Sequence, residues 1–191
     1  MSDVQAASPA IAVGGIARVE RAWQVLAGVP DPEVPAVSVC DLGIVREVID
    51  HGDGLEVVLT PTYSGCPATE AIESDVLAAL EAAGLGPARA TLRRAPAWTS
   101  DWISEEGRRK LAASGIAPPG PVMRDEDGSE LIPIRLVGRA ARAGRAGLAT
   151  IACPRCGSSD TEQLSAFGST ACKALYRCRA CREPFELFKP F

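Results

Sequence analysis

The sequence predicts an α+β fold in two modules, and three observations carry that prediction. Leu55 to Leu59 reads as a short strand, with Leu55, Val57 and Leu59 alternating against Glu56 and Val58. The turn TPTYSGCPA, Thr60 to Ala68, leads from it into a helical pattern over Ala68 to Ala83, where Ile72, Val76 and Leu80 recur four residues apart with Leu77 beside them. Near the C-terminus, Cys153/Cys156 and Cys178/Cys181 form two Cys-x-x-Cys pairs with 21 residues between them, the spacing of a four-thiolate metal ribbon.

The remaining elements follow in chain order. Residues 1–14 read as a loose tail of small residues, and Ile16 to Ala27 as a helix with Ile16, Val19, Trp23 and Leu26 on one face and Gly28 at its end. The loop VPDPEVPAVS holds three prolines, which exclude helix and central strand, and carries Asp31 and Glu33. Val37 to Ile49 is rich in strand formers, interrupted at Asp41 to Gly43; Cys40 within it is expected to pack in the core. DHGDG, Asp50 to Gly54, is a hairpin turn. Ala88 to Arg94 supplies a third strand, Trp98 and Trp102 anchor the tail that follows, and a short helix runs over Glu105 to Ala113 before the proline stop IAPPGP. Met123 to Glu130 is acidic and turn-rich, Leu131 to Val137 a short strand, and Arg139 to Gly147 a flexible basic spacer.

Composition bounds what the chain can be. It has 191 residues, 47% of them hydrophobic, enough to bury a core. It contains no run of 18 apolar residues and its start lacks the pattern of a secretory signal, so a cytoplasmic protein without a membrane span is expected. In that compartment seven cysteines point to metal ligands or functional thiols before disulfides. Residues 1–134 carry 10 Lys+Arg against 20 Asp+Glu, a net charge of −10, while residues 135–191 carry 10 against 4, a net +6. Such asymmetry agrees with two modules.

Cys66 is the residue to weigh most closely. Pro67 suits the first helical position and Gly84 the position just past the helix end, which sets Cys66 at about the N-cap, where backbone N–H groups and the helix dipole favour thiolate. Gly65 permits the tight turn before it, and Thr60, Thr62, Tyr63 and Ser64 surround it with hydroxyls. The competing reading is a small packed apolar group, the commoner fate of a free cysteine. A Cys–His nucleophile pair is a poor fit. The one histidine, His51, lies in the hairpin turn at the far end of the strand, more than about 15 Å along the chain.

In the second module, Cys153, Cys156, Cys178 and Cys181 fill all four positions of a tetrahedral ion, so a structural zinc is expected, without an open catalytic position. A segment of some forty residues buries too little surface to fold unaided, and the ion supplies the difference. Cys172 is left over and reads as a packed or accessory thiol.

The residues DPEVPAVSVCDLGIVREV (Asp31 to Val48) and TPTYSGCPA (Thr60 to Ala68) resemble the SufT-type iron–sulfur assembly domain. With PAWTSDWIS, GIAPP, CPRCGS, FGSTACKALYRC and the last knuckle, the chain from Ile16 onward resembles the PaaD family of phenylacetyl-CoA epoxidase accessory proteins. The resemblance implies a small mixed or antiparallel sheet with two main helices, followed by a β-rich ribbon. It sets module bounds of 16–118 for the assembly domain, 119–150 for a connecting segment and 151–191 for the ribbon. It puts the family's characteristic cysteine at Cys66 and its acidic loop residues at Asp31, Glu33 and Asp41, with Thr62 in the matching loop. It implies a non-catalytic accessory or maturation factor in aerobic phenylacetate catabolism, serving an iron–sulfur or di-iron centre, with zinc as structural cofactor and iron or an iron–sulfur cluster as transient cargo. The expected partners are the oxygenase and reductase subunits of the epoxidase, with a second copy of the chain as a further candidate and neither membrane nor nucleic acid favoured. Three rival readings stand beside it: a structural subunit of the epoxidase complex, a nucleic-acid-binding ribbon suggested by the basic tail and Phe167, Tyr176, Phe185 and Phe188, and a thiol enzyme, disfavoured by the missing base.

Overall fold

The computed structural model describes residues 13–63, 65–120 and 151–190. The N-terminal tail and the segments read as acidic turn, short strand and basic spacer between 123 and 147 lie outside the described residues, as does Ser64. The first part of the chain runs α1 (Val13–Leu26), β1 (Val45–Asp50), β2 (Leu55–Leu59), α2 (Thr69–Ala82), β3 (Ala88–Leu92), a 3₁₀ turn at Ser100–Trp102 and α3 (Glu105–Ala113). β4 (Ile116–Ala117) ends the first part, and the second comprises β5 (Thr161–Ser165), β6 (Lys173–Cys178) and β7 (Pro184–Phe188). Among the described residues no helix is long and apolar enough to cross a membrane.

The first sheet has the order β1-β2-β3. β1 and β2 form the hairpin expected from DHGDG, antiparallel, with Gly52 at φ +88° in the turn. β3 pairs parallel to β2, which α2 makes possible as the crossover. The sheet is therefore mixed. β2 is its central strand, which is why Val58 is buried along with Leu55, Val57 and Leu59 rather than alternating outward. Ile72, Val76 and Leu80 of α2 and Ala22 and Leu26 of α1 close the core over it.

Two expectations are corrected here. Ile16 does not join the α1 face; it is 52% exposed, and Ala22 with Leu26 makes the buried contact. Val37 to Gly43 is not strand. Ser38 and Asp41 bond each other reciprocally, the Ser38 N–H donating to Asp41 Oδ2 at 2.9 Å and the Asp41 N–H to Ser38 Oγ at 3.0 Å. Such side-chain bonds offer the backbone an alternative to a ladder, and regular strand begins only at Val45. Gly43 closes this turn at φ +66°, where an added Cβ would stand 2.6 Å from the Trp102 carbonyl oxygen, so no other residue fits without a shift.

The segment after β3 folds back as expected. Trp98 is buried and donates from Nε1 to the Leu42 carbonyl at 2.9 Å, and Trp102 lies half-buried with the Arg46 guanidinium 3.5 Å from its ring centroid. Asp41 ties α3 to the same place by pairing with Lys110 Nζ at 2.7 Å. Burial alone would raise the Asp41 carboxyl, but the Lys110 and Ser38 bonds outweigh it and hold the group below its ordinary 3.8. A depressed folded-state value stabilises the protein fully above the unfolded value and loses that contribution as pH falls through the folded one. We expect Asp41→Asn to cost about 1 kcal/mol near pH 7, allowing for the partial exposure of Lys110. The two urea midpoints should converge as pH falls below about 3.8. A constant difference across that range would show that the carboxylate charge is not what matters.

The second sheet has the order β4-β7-β6-β5. β4, which precedes the undescribed segment, pairs parallel to β7 through Ile116↔Glu186 and Ala117↔Leu187. Tyr176 and Phe185 stack at 5.8 Å in a small core of their own with Ala174, Leu187, Cys153 and Cys178. Phe188 and Cys172 belong instead to the main core, where the Phe188 ring lies 6.0 Å from Trp98. Strand pairing and aromatic packing thus join the two modules.

Candidate functional site

The Cys66 loop begins where β2 ends. Thr60 donates its N–H to the Ile44 carbonyl at 2.8 Å, and its hydroxyl is buried without a partner among the described residues. Thr62 is buried next to it and Tyr63 packs against the core. The Cys66 N–H donates to the Tyr63 carbonyl at 3.2 Å, and the Thr69 hydroxyl donates to the Cys66 carbonyl at 2.9 Å. The N-cap is Ala68, without a side-chain cap, and α2 starts at Thr69. Cys66 therefore precedes the helix by three residues rather than capping it.

The electrostatics differ from the expectation in the same direction. Burial pushes the Cys66 thiol above its ordinary value; the Ala68 N–H opposes this, and the nearby charges of Glu33 and Asp31 add to it. Burial and the neighbouring charges thus work against the thiolate that a helix N-cap would favour. The half-buried Cys66 side chain packs on the main core beside Tyr63. Cys40 is also half-buried against that core, with its thiol pushed up to about 12 by burial and by Asp41, in keeping with packing.

Asp31 is 5% exposed, and its Oδ1 accepts from the N–H groups of Glu33 at 3.0 Å and Val34 at 2.8 Å. This turn is a local consequence of an aspartate two residues ahead of a free N–H in a proline-rich loop. Burial raises the Asp31 carboxyl, with the two N–H donors and Lys173 pulling the other way. The turn presents Glu33, whose Oε2 lies 3.8 Å from Cys172 Sγ and whose carbonyl accepts from Lys173 Nζ at 3.5 Å. Asp31 and Glu33 act on the Cys66 thiol through their charge; burial raises the Tyr63 phenol, and Cys66, Glu33 and Cys172 add to the rise. Asp41 is engaged by Lys110 and Ser38.

Cys172 is the member of this group that sequence reasoning treated as accessory. Its one signal was arithmetic, as the cysteine left over when four are assigned to the ribbon. It is 3% exposed, and burial raises its thiol against the opposing Thr170 hydroxyl 3.0 Å away. His51 lies on the hairpin, exposed, with Nε2 2.8 Å from Glu56 Oε2 and 3.0 Å from Arg89 Nη2. These contacts engage it away from thiol chemistry.

In the C-terminal module the sulfurs of Cys153, Cys156, Cys178 and Cys181 all lie within 4.8 Å of one another, with Cys153–Cys181 at 3.8 Å and Cys156–Cys178 at 3.6 Å. Zinc–thiolate bonds of about 2.3 Å in a tetrahedron require sulfurs about 3.8 Å apart, so the donor set fits that ion. The two knuckles are alike in backbone. Cys153 and Cys178 each donate an N–H five residues ahead, to Ser158 and Glu183, and the residue after each second cysteine, Gly157 or Arg182, has positive φ.

Comparison with known proteins agrees with both halves. A model described as iron–sulfur cluster assembly protein matches residues 20–91, and one described as PaaD zinc beta ribbon domain matches residues 139–189. The chain is 42% identical over 172 residues, 90% of this chain and 93% of the other, to a putative subunit of the 1,2-phenylacetyl-CoA epoxidase of Escherichia coli K12. It is 37% identical over 90 residues to an Fe-S protein maturation auxiliary factor of Porphyromonas gingivalis, covering 46% of this chain and 85% of that one. The crystal structure of a DUF59 domain from Bacillus anthracis aligns with a TM-score of 0.48 at 26% identity, over 52% of this chain and 96% of that chain.

Proposed function

The chain belongs to the PaaD family, alongside the putative epoxidase component of Escherichia coli, and on that premise we propose that it is a non-catalytic maturation factor for a metal centre of a multicomponent phenylacetyl-CoA epoxidase. Cys66 takes iron, or a cluster in transit, and hands it to the oxygenase or reductase in the cytoplasm. The supporting observation is the setting of Cys66: a half-buried thiol beside the Asp31–Glu33 turn, within the part of the chain matched by the assembly model. Neighbouring anions that make a thiolate costly favour a cation there, and an arriving metal ion displaces the thiol proton. A single cysteine holds such cargo weakly, which suits transfer.

Cys153, Cys156, Cys178 and Cys181 hold a zinc ion that folds the ribbon. With four thiolates around it, this ion keeps no open position for chemistry, and the ribbon serves to dock the client. Residues 16–118 and 151–191 act as the two working modules, with 119–150 between them.

The test is zinc, iron and acid-labile sulfide per chain in anaerobically purified protein, beside epoxidase activity in cells carrying Cys66→Ser. The expected result is about one zinc per chain in both proteins, with iron and sulfide lost and activity reduced at least tenfold in the variant. Full activity with Cys66→Ser would end the carrier reading. The relative's description as an epoxidase subunit favours a second reading, a structural component of the epoxidase. Stoichiometric co-purification with the oxygenase, unaffected by Cys66→Ser, would support that one.

A further inference from the structure

Of the four aromatic residues described in the ribbon, one presents its ring to solvent. Tyr176, Phe185 and Phe188 are buried, while Phe167 is 66% exposed. Leu164, three positions earlier and so within about 11 Å, is 49% exposed. A built loop presents both side chains. Leu164 is the extra residue of a β-bulge in β5, the edge strand of its sheet, and a bulge re-aims the side chain it carries. The Phe167 N–H donates to Ser165 Oγ at 3.1 Å, and the Gly168 N–H to the Lys173 carbonyl at 2.8 Å. Ser169 donates its N–H and its hydroxyl to the Glu186 carboxylate. Lys189 Nζ lies 4.7 Å from the Phe167 ring centroid and donates to the Ala166 carbonyl at 3.4 Å. The loop also leads to the junction between the modules. Glu186 pairs with Lys173 Nζ at 3.2 Å, and Lys173, 4% exposed, reaches the Glu33 carbonyl at 3.5 Å. A partner held at Phe167 is thus held beside the Asp31–Glu33 turn.

We propose that Phe167, Leu164 and Lys189 form the surface by which the ribbon grips its client, and that the client offers an apolar pocket rimmed by carboxylates. A ring already fixed by its loop loses little freedom on binding, which suits it to anchor an interface. The acidic rim follows from charge. Residues 135–191 carry a net +6, and Lys189 brings one of those cations to the ring itself. A nucleic acid fits this surface less well. Single strands are held by successive aromatic platforms along a basic groove, whereas the other three rings are buried and the Glu186 carboxylate lies against the loop. This inference rests on the reading that the ribbon docks the client, and it names the residues and the chemistry of that contact.

The experiment is surface plasmon resonance with the zinc-loaded full chain passed over immobilised oxygenase and, separately, reductase components of the epoxidase. The unmodified chain should bind one of them. Phe167→Ala should weaken that binding about tenfold or more, and Leu164→Ser should weaken it in the same direction. Lys189→Gln should slow association and flatten its dependence on salt. Leu164 and Phe167 are exposed, so zinc content and urea midpoint should match the unmodified chain; should Phe167→Ala lose zinc, Leu164→Ser decides. Binding that both substitutions leave unchanged overturns this inference and leaves the docking reading standing. An equal loss with Ile49→Ser, an exposed apolar residue of the first module, shows unspecific adhesion and overturns it too. No binding to either component overturns both the inference and the docking reading. A dimer that Phe167→Ala dissociates in sedimentation would assign the surface to a second copy of the chain. Binding of single-stranded RNA that the same substitution removes would assign it to nucleic acid. Either result overturns the proposal.

Discussion

Cys178→Ser is expected to unfold the C-terminal module and to lower the stability of the first. Cys178, the first cysteine of the second knuckle, is fully buried; its N–H closes that turn on the Glu183 carbonyl and its sulfur lies 3.6 Å from Cys156. Among the described residues the ribbon's own core is the small cluster around Tyr176, Phe185 and Leu187, too little to repay the ordering of some forty residues at about 1–2 kcal/mol each. A four-thiolate zinc contributes about 10–16 kcal/mol, so the ion decides whether the ribbon exists. The effect should also cross the junction, because Phe188 and Cys172 sit in the main core and β7 carries β4. Trp98, buried against Phe188, should report it by a red shift of tryptophan emission. The same shift should follow a strong chelator and reverse on adding zinc. Unchanged emission and unchanged strand content after complete metal removal would show that the ribbon folds without the ion.

Phe188→Ala is the second large effect expected, because it cuts the junction and leaves the knuckles alone. Phe188 is the largest fully buried side chain among the described residues, and it lies at the end of β7, in the main core and outside the small ribbon cluster that holds Cys153 and Cys178. Truncating a buried phenylalanine costs about 3–5 kcal/mol through lost burial and the cavity left behind. Zinc content should stay near that of the unmodified chain, while the urea midpoint of the Trp98 transition falls. If the loss is below about 1 kcal/mol, the aromatic contact does not hold the modules together.

How much of this was legible in the sequence varied with the range of the interaction. The Ile72, Val76 and Leu80 stripe emerged as the buried face of α2, and Glu105 to Ala113 as α3, because a 3.6-residue repeat records which side of a helix meets the core. The hairpin at Asp50 to Gly54 and the knuckle spacing were equally readable, since turn chemistry and metal ligation act over a few residues. The helix N-cap, expected at Cys66, lies two residues later at Ala68. Proline at a helix start is a good cue, but here the Thr69 hydroxyl and the Cys66 carbonyl close a turn before the helix proper. Val37 to Gly43 has strand composition, and the Ser38–Asp41 exchange overrides it.

The sequence by itself determined the helices, the hairpin and the four ribbon thiols, all consequences of periodicity or close spacing. Only the tertiary structure decided that burial raises the Cys66 thiol and that Glu33 and Cys172 meet across 139 positions of chain. The physical reason is common to both. A thiol's protonation follows the water and charge around it, and a contact between distant residues follows from how two modules pack. Neither quantity is carried by a local run of residues.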